Sequence, residues 1–189
     1  MSTQKIWHLV VAVPHKHKIV RPASLLHVTP GEVPLNLLVD VKPYGKLHLL
    51  AADAWMAFRA RAFAEGIKTF KPTSSADTYR SLATQTIAWN DRMQLTPIEG
   101  VKPRVYQGKN WYLKKGKAPI AQPGKSNHNL GLSVDVSEAS GERLAFMAQF
   151  AALYGFTWEL DSEPWHINYY VGDRVPALVQ QWKEAKSLQ

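Results

Sequence analysis

The residues able to do chemistry cluster in two short stretches. SNHNLGLSVDVS, residues 126–137, carries His128 ahead of a glycine and sets Asp135 between two valines. SEPWHINYY, residues 162–170, sets Glu163 and His166 around a Pro-Trp pair. Side chains alternate between faces along a strand, so Leu132, Val134 and Val136 share one face while Ser133, Asp135 and Ser137 share the other. In the second stretch Trp165, Ile167, Tyr169 and Val171 fall together, opposite His166, Asn168 and Tyr170. If the two strands are neighbours, Asp135 and His166 project from one polar face. His128 can then swing in from the turn opened by Gly131. Two imidazoles and one carboxylate form a common ligand set for a catalytic zinc, with a fourth position left for water.

Glu163 belongs on the turn before its strand, because Pro164 lacks an N–H and suits a strand's first position or edge. From there its carboxylate can reach a metal-bound water without being a ligand. It would take the water's proton and hand it to a leaving amine while the metal polarises the scissile carbonyl. Arg80, just ahead of a helix, is placed to stabilise an oxyanion or grip a substrate carboxylate. Spacing alone leaves two readings of the histidines open, ligands or packed and solvated side chains. Asp135 is harder to set aside, since an unpaired carboxylate in a core strand is costly.

The elements that must position these residues are legible as patterns. Residues 1–45 are proline-rich and strand-like, including a strand over 6–14, and form an N-terminal extension to a domain spanning 46–189. AADAWMAFRARAFAEG is the clearest helix, with Ala51, Ala54, Trp55, Phe58 and Ala62 on one face and Gly66 as terminator. IKTFKP reads as a strand, and a second helix follows over Leu82–Met93 with Ser81 as its N-cap. Residues 96–127 read as a long irregular excursion holding a short hairpin. LSVDV, FTWEL and WHINYYV are strands, and GERLAFMAQFAALYG and VPALVQQWKEAKSL are helices. The fold class is α+β, a small central antiparallel sheet flanked by helices, since no Rossmann-like alternation occurs.

Composition narrows the partners. The 189 residues suit one well-buried core. No cysteine is present, which excludes disulfides and thiolate metal sites. No stretch is long and apolar enough to span a bilayer, so membrane insertion is not expected; IWHLVVAVP is about half of the required length. That stretch is also a poor secretory signal, so synthesis in the cytoplasm without a signal peptide is expected. The net charge of +8 draws the chain toward polyanions, including an anionic cell wall. Its basic residues are spread along the chain without a nucleic-acid signature, so no specific nucleic-acid partner is expected.

A resemblance sharpens this. PGKSNHNLGLSVDV resembles the S-x-H-x-x-G-x-x-x-D motif of the zinc D-Ala-D-Ala peptidases, the VanY-like branch of the LAS or M15 group. SEPWHINYYVG is similar to their E-P-W-H-x-x-Y-V block, and TYRSLATQ to their Y-R-S-x-x-x-Q block. The resemblance covers about Leu47 to Gly172 and implies the LAS/Hedgehog-like zinc peptidase fold. It makes His128, Asp135 and His166 the ligands of one catalytic Zn2+ and Glu163 the general base. Arg80 becomes the transition-state or carboxylate contact, and Ser126 and Gln85 line the peptide subsite. Two departures stand out: Ser133 where the family usually has Ala, and Asp77-Thr78 where it often has Ser-Gly.

The resemblance implies a metallopeptidase acting on peptidoglycan stem peptides at a D-Ala-D-Ala or D,D-cross-link bond, as carboxypeptidase or endopeptidase. A monomer acting at the cell wall as a phage lysis enzyme is the expected setting. Three alternatives differ in class. A non-catalytic zinc module on the same fold would need neither Glu163 nor Arg80. An L-Ala-D-Glu endopeptidase would use the same site on another bond. A basic nucleic-acid binder would keep salt-dependent binding after metal removal.

Overall fold

A computed structural model describes residues 16–188. The strand expected over 6–14 lies outside the described residues.

The chain enters as a series of turns, with 3₁₀ segments at Ala23–Leu25 and Leu35–Leu37. A short hairpin follows, β1 (Leu38–Asp40) with β2 (Lys46–His48), leading into helix α1 (Leu49–Ala64). Leu25, Val33, Leu38 and Val41 are buried in the same core as α1, and Val20 bridges to Val171. Helix α2 spans Leu82–Arg92, and Ser81 caps it by accepting a hydrogen bond from the Thr84 N–H at 3.1 Å.

The proline- and glycine-rich excursion carries two strands that join a third just ahead of it in a three-stranded antiparallel sheet. Its strands are β3 (Met93–Gln94), β4 (Arg104–Tyr106) and β5 (Lys109–Leu113), in the order β3-β5-β4. Trp89 of α2, Met93 and Ile120 form a small separate core with Tyr106, Trp111 and Leu113 packed against it. Trp111 therefore anchors the excursion, and its ring lies 5.8 Å from that of Trp89.

The central sheet is β6 (Ser133–Asp135), β7 (Phe156–Trp158) and β8 (His166–Tyr169), all antiparallel in the order β6-β8-β7. Helix α3 (Gly141–Phe150) continues as a 3₁₀ turn to Tyr154, and α4 (Ala177–Ser187) closes the chain. The apolar face of the sheet packs on α1 through Phe58. That ring contacts Phe146, Tyr154 and Phe156 in stacked geometry and Phe70 edge-on.

One expected strand does not form. IKTFKP runs through turns after Gly66, whose φ of +90° reverses the chain, and only Pro72 makes an isolated bridge, to Val136. Pro72 offers no N–H and therefore cannot extend a ladder.

Gly131 ties this frame to the site. It ends the 3₁₀ turn Asn127–Leu130 at φ +68°, and a Cβ built there would lie 2.7 Å from the His48 backbone nitrogen. The His48 N–H donates to the Gly131 carbonyl at 2.9 Å, so the turn is pressed onto the start of α1. We expect Gly131→Ala to lower unfolding free energy by about 2 kcal/mol, from left-handed strain and backbone collision. Denaturant unfolding checks this, and a change within experimental error would contradict it.

Candidate active site

The register of the central sheet sets two candidate ligands face to face: Asp135 is paired with His166 and Ser133 with Asn168. The Val136 N–H donates to the Trp165 carbonyl at 2.8 Å and the Tyr169 N–H to the Leu132 carbonyl at 2.7 Å. The hydrogen-bonded positions are thus Leu132, Val134 and Val136. Ser133 and Asp135 occupy the intervening positions, where opposed side chains stand closest. His166 Nδ1 lies 2.7 Å from Asp135 Oδ1, and the Ser133 hydroxyl donates to Asn168 Oδ1 at 2.5 Å.

His128 arrives from the 3₁₀ turn. Ser126 opens the turn, its hydroxyl accepting from the His128 N–H at 3.3 Å. His128 is almost wholly buried. Its Nδ1–H donates to the Thr78 carbonyl at 2.7 Å, which leaves Nε2 directed at Asp135 Oδ2, 3.2 Å away. One ligand atom from each of His128, Asp135 and His166 lies within 4.8 Å of the others.

These residues fit a metal. A carbonyl that accepts from one imidazole nitrogen fixes the tautomer that offers the other as ligand. Nitrogen and carboxylate donors with no thiolate match zinc's preferences in a three-residue open site. Glu159 adds an outer contact that the sequence did not single out. Its carboxylate lies 3.9 Å from His166 Nε2 and accepts from Asn127 and Asn168 Nδ2, each at 3.3 Å. Only its position just past the end of β7 signals it, and that requires the fold.

Glu163 is half-buried on the turn before β8, where its backbone carbonyl accepts from the His166 N–H at 3.0 Å. It lines the same cleft of about 680 Å³ as the three candidate ligands, with Arg80, Gln85, Ser126 and Trp165. Arg80 is held from three sides. Its Nε donates to the Ala76 carbonyl at 3.0 Å, one terminal nitrogen donates to Gln85 Oε1 at 3.0 Å, and the other lies 3.6 Å from Asp77. Gln85 is fully buried, and its amide nitrogen donates to the Ala121 carbonyl at 2.8 Å. Both ends of Gln85 are therefore engaged by the protein.

The Asp77-Thr78 departure bears on this arrangement at both residues. Asp77 pairs with Arg80, while Thr78 supplies the carbonyl that orients His128. The Thr78 hydroxyl accepts from the Lys46 N–H at 3.1 Å and donates to the Ser75 carbonyl at 2.8 Å. Thr78 lies directly under Gly45, where a Cβ would collide with its side chain.

The electrostatics follow from the geometry. Burial alone would raise the Asp135 carboxyl, but hydrogen bonds and charge from His128 and His166 outweigh it and hold Asp135 well below the usual carboxylate range. Burial works to lower His166, yet Asp135, Glu163 and Glu159 together raise it. Arg80 is lowered by burial and by repulsion from Arg92, partly offset by Asp135 and Asp77.

With this geometry in view, the family model for D-alanyl-D-alanine carboxypeptidase, VanY, matches residues 45–173. The chain belongs to the VanY family. Its fold resembles that of VanYB in complex with D-alanine-D-alanine, at a TM-score of 0.51 and 16% identity, covering 94% of this chain and 93% of that one. A vancomycin-resistance D,D-pentapeptidase VanY mutant in complex with Zn(II) is similar at a TM-score of 0.49 and 18% identity, covering 95% of each. No curated protein sequence matches the chain. VanY membership makes the chain a peptidase of the D,D-carboxypeptidase type, and the α+β architecture agrees with that fold. Among the described residues no helix is long and apolar enough to cross a membrane.

Because His166 is raised and must lose a proton to ligate, metal affinity is expected to weaken as pH falls, starting above the ordinary imidazole range, by up to about tenfold per unit once His166 is protonated. Asp135 stays ionised throughout this window and contributes no slope. Zinc competition titrations across pH check this, and a flat profile would contradict it.

Proposed function

We propose that this VanY-family protein is a zinc peptidase hydrolysing peptidoglycan stem peptides at a D,D-bond, with His128, Asp135 and His166 holding the metal. The observation that carries the reading is the convergence of these three on one point beside an uncommitted carboxylate, Glu163. A bound zinc would supply Lewis-acid polarisation of the scissile carbonyl and make a water acidic enough to attack it near neutral pH.

The protein's own side chains do the rest. Glu163 has no side-chain hydrogen bond among the described residues, so its carboxylate is available to accept the proton of the attacking water. It then returns that proton to the leaving amine. Arg80, pinned on three sides, presents a fixed positive charge where the carbonyl oxygen gains negative charge, so little reorganisation is needed at the moment of reaction. We assign Gln85 to holding Arg80 in place, and Ser126 to fixing the His128 turn and lining the peptide path.

The +8 charge supports action at an anionic cell wall. The setting we propose is phage lysis, with a separate pore-former giving access to the wall. An exported form with a processed N-terminus would contradict that setting.

The peptidase reading and a non-catalytic zinc module separate at one residue. Glu163→Ala should lower kcat by about 10²–10⁴-fold while the protein keeps its zinc. Mass spectrometry of a free pentapeptide and a cross-linked dimer, together with metal analysis, checks both halves. Chelator-sensitive loss of one terminal alanine identifies a carboxypeptidase, and splitting of the dimer an endopeptidase. Undiminished turnover in the variant would sink the assignment of Glu163. Arg80→Ala should cost about 10²–10³-fold in kcat with smaller effect on KM, as expected for a contact made in the transition state.

A further inference from the structure

The cleft is longer than its catalytic end. Its wall includes the segment Ala118–Ala121, in which the three successive carbonyls of Pro119, Ile120 and Ala121 are each held by a side chain. Gln85 donates to the Ala121 carbonyl at 2.8 Å, Arg104 to the Ile120 carbonyl at 2.6 Å, and Arg92 to the Pro119 carbonyl at 3.4 Å. Each arginine uses one terminal nitrogen for this anchor and keeps the remainder of its donor fork. Neither has a carboxylate partner among the described residues, whereas Asp91, next to Arg92 in sequence, is taken by Lys117. Lys125 lines the same cleft.

Asp135, Glu159 and Glu163 line the cleft beside the candidate metal ligands, and Arg80, which also lines it, is paired with Asp77; Arg92 and Arg104 line it without such a partner. Gathering cations without counter-charges on one wall is unfavourable unless an anion joins them, and planar guanidinium forks match carboxylates in particular.

We propose that Arg92 and Arg104 form a second anion subsite, which takes a carboxylate of the substrate peptide remote from the scissile bond. This rests on the peptidase reading above and deepens it: the favoured substrate is an acidic stem peptide rather than a bare dipeptide. Arg80 serves the reacting end, and the excursion carrying β4 and β5 supplies substrate selectivity through Arg104 and the wall it braces.

Three synthetic pentapeptides ending in D-Ala-D-Ala test this on the zinc-loaded full chain. The first carries an upstream D-glutamate with a free carboxylate. The second has that carboxylate amidated, and the third has only its C-terminal carboxylate amidated. Amidating the upstream group should lower kcat/KM about tenfold, mainly through KM, as the loss of one charge-assisted pair implies. The ratio between the first two peptides should fall toward one in R92Q/R104Q, and also as salt is raised. The single variant R104Q, at an exposed side chain, should show part of the effect and guards against misfolding of the double variant.

Equal kcat/KM on the first two peptides overturns the proposal, as does a ratio that survives the double substitution. If R92Q/R104Q instead erases the penalty on the third peptide, the arginines hold the terminal carboxylate and the proposal fails. If no peptide is cut, the peptidase reading has failed by itself. Calorimetric binding of the first two peptides then decides, and equal affinities overturn the subsite.

Discussion

The site depends on one registration, Asp135 opposite His166 across β6 and β8. Slipping either strand by one residue would turn Asp135 into the core and expose Val134, so the apolar face enforces the polar one. Leu132, Val134, Val136 and Ile167 are all essentially without solvent contact. Burial of these four is what places a carboxylate and an imidazole 2.7 Å apart. The arrangement suits a metal because two imidazoles and a carboxylate packed so closely are otherwise held only by shared protons, which a divalent ion can replace.

The third candidate ligand depends on backbone rather than on a sheet. His128 is aimed by the Thr78 carbonyl, and that loop is in turn pinned to the β2 strand through the Thr78 hydroxyl. Arg80 leaves the same loop, and its own N–H donates to the His128 carbonyl at 2.9 Å. Candidate ligand and proposed oxyanion contact are thus mounted on one another. A disturbance at Asp77 or Thr78 would be felt by both, which gives the family departure at this pair a physical meaning. Ser133 lies deeper: its hydroxyl is spent on Asn168, and Asn168 also reaches Glu159, so the substitution adds to the scaffold beneath the site.

The parts of this that were legible in the sequence are those governed by periodicity or by a short motif. Alternation predicted the faces of β6 and β8, Ser81 marked the start of α2, and Gly131 marked the turn behind His128. The strand expected at IKTFKP failed because Gly66 and Pro72 act on backbone conformation more strongly than the apolar residues between them. Gln85, expected to line the peptide subsite, lies in the cleft wall, and sequence spacing did not show that its side chain is buried with both ends bonded, to Arg80 and to the Ala121 carbonyl. The Thr78 carbonyl, Glu159 and the arginine wall were not legible at all. They come from loops brought together across the fold, where no repeat or spacing records the contact.

The central claim is that His128, Asp135 and His166 bind a single zinc, and X-ray absorption at the zinc edge tests it most directly. The account predicts one tightly bound zinc with four light ligands, two of them imidazole, at about 2.0–2.1 Å. His166→Ala should remove one imidazole from that signal. A spectrum needing a different number of imidazoles, or one left unchanged by His166→Ala, would contradict the account.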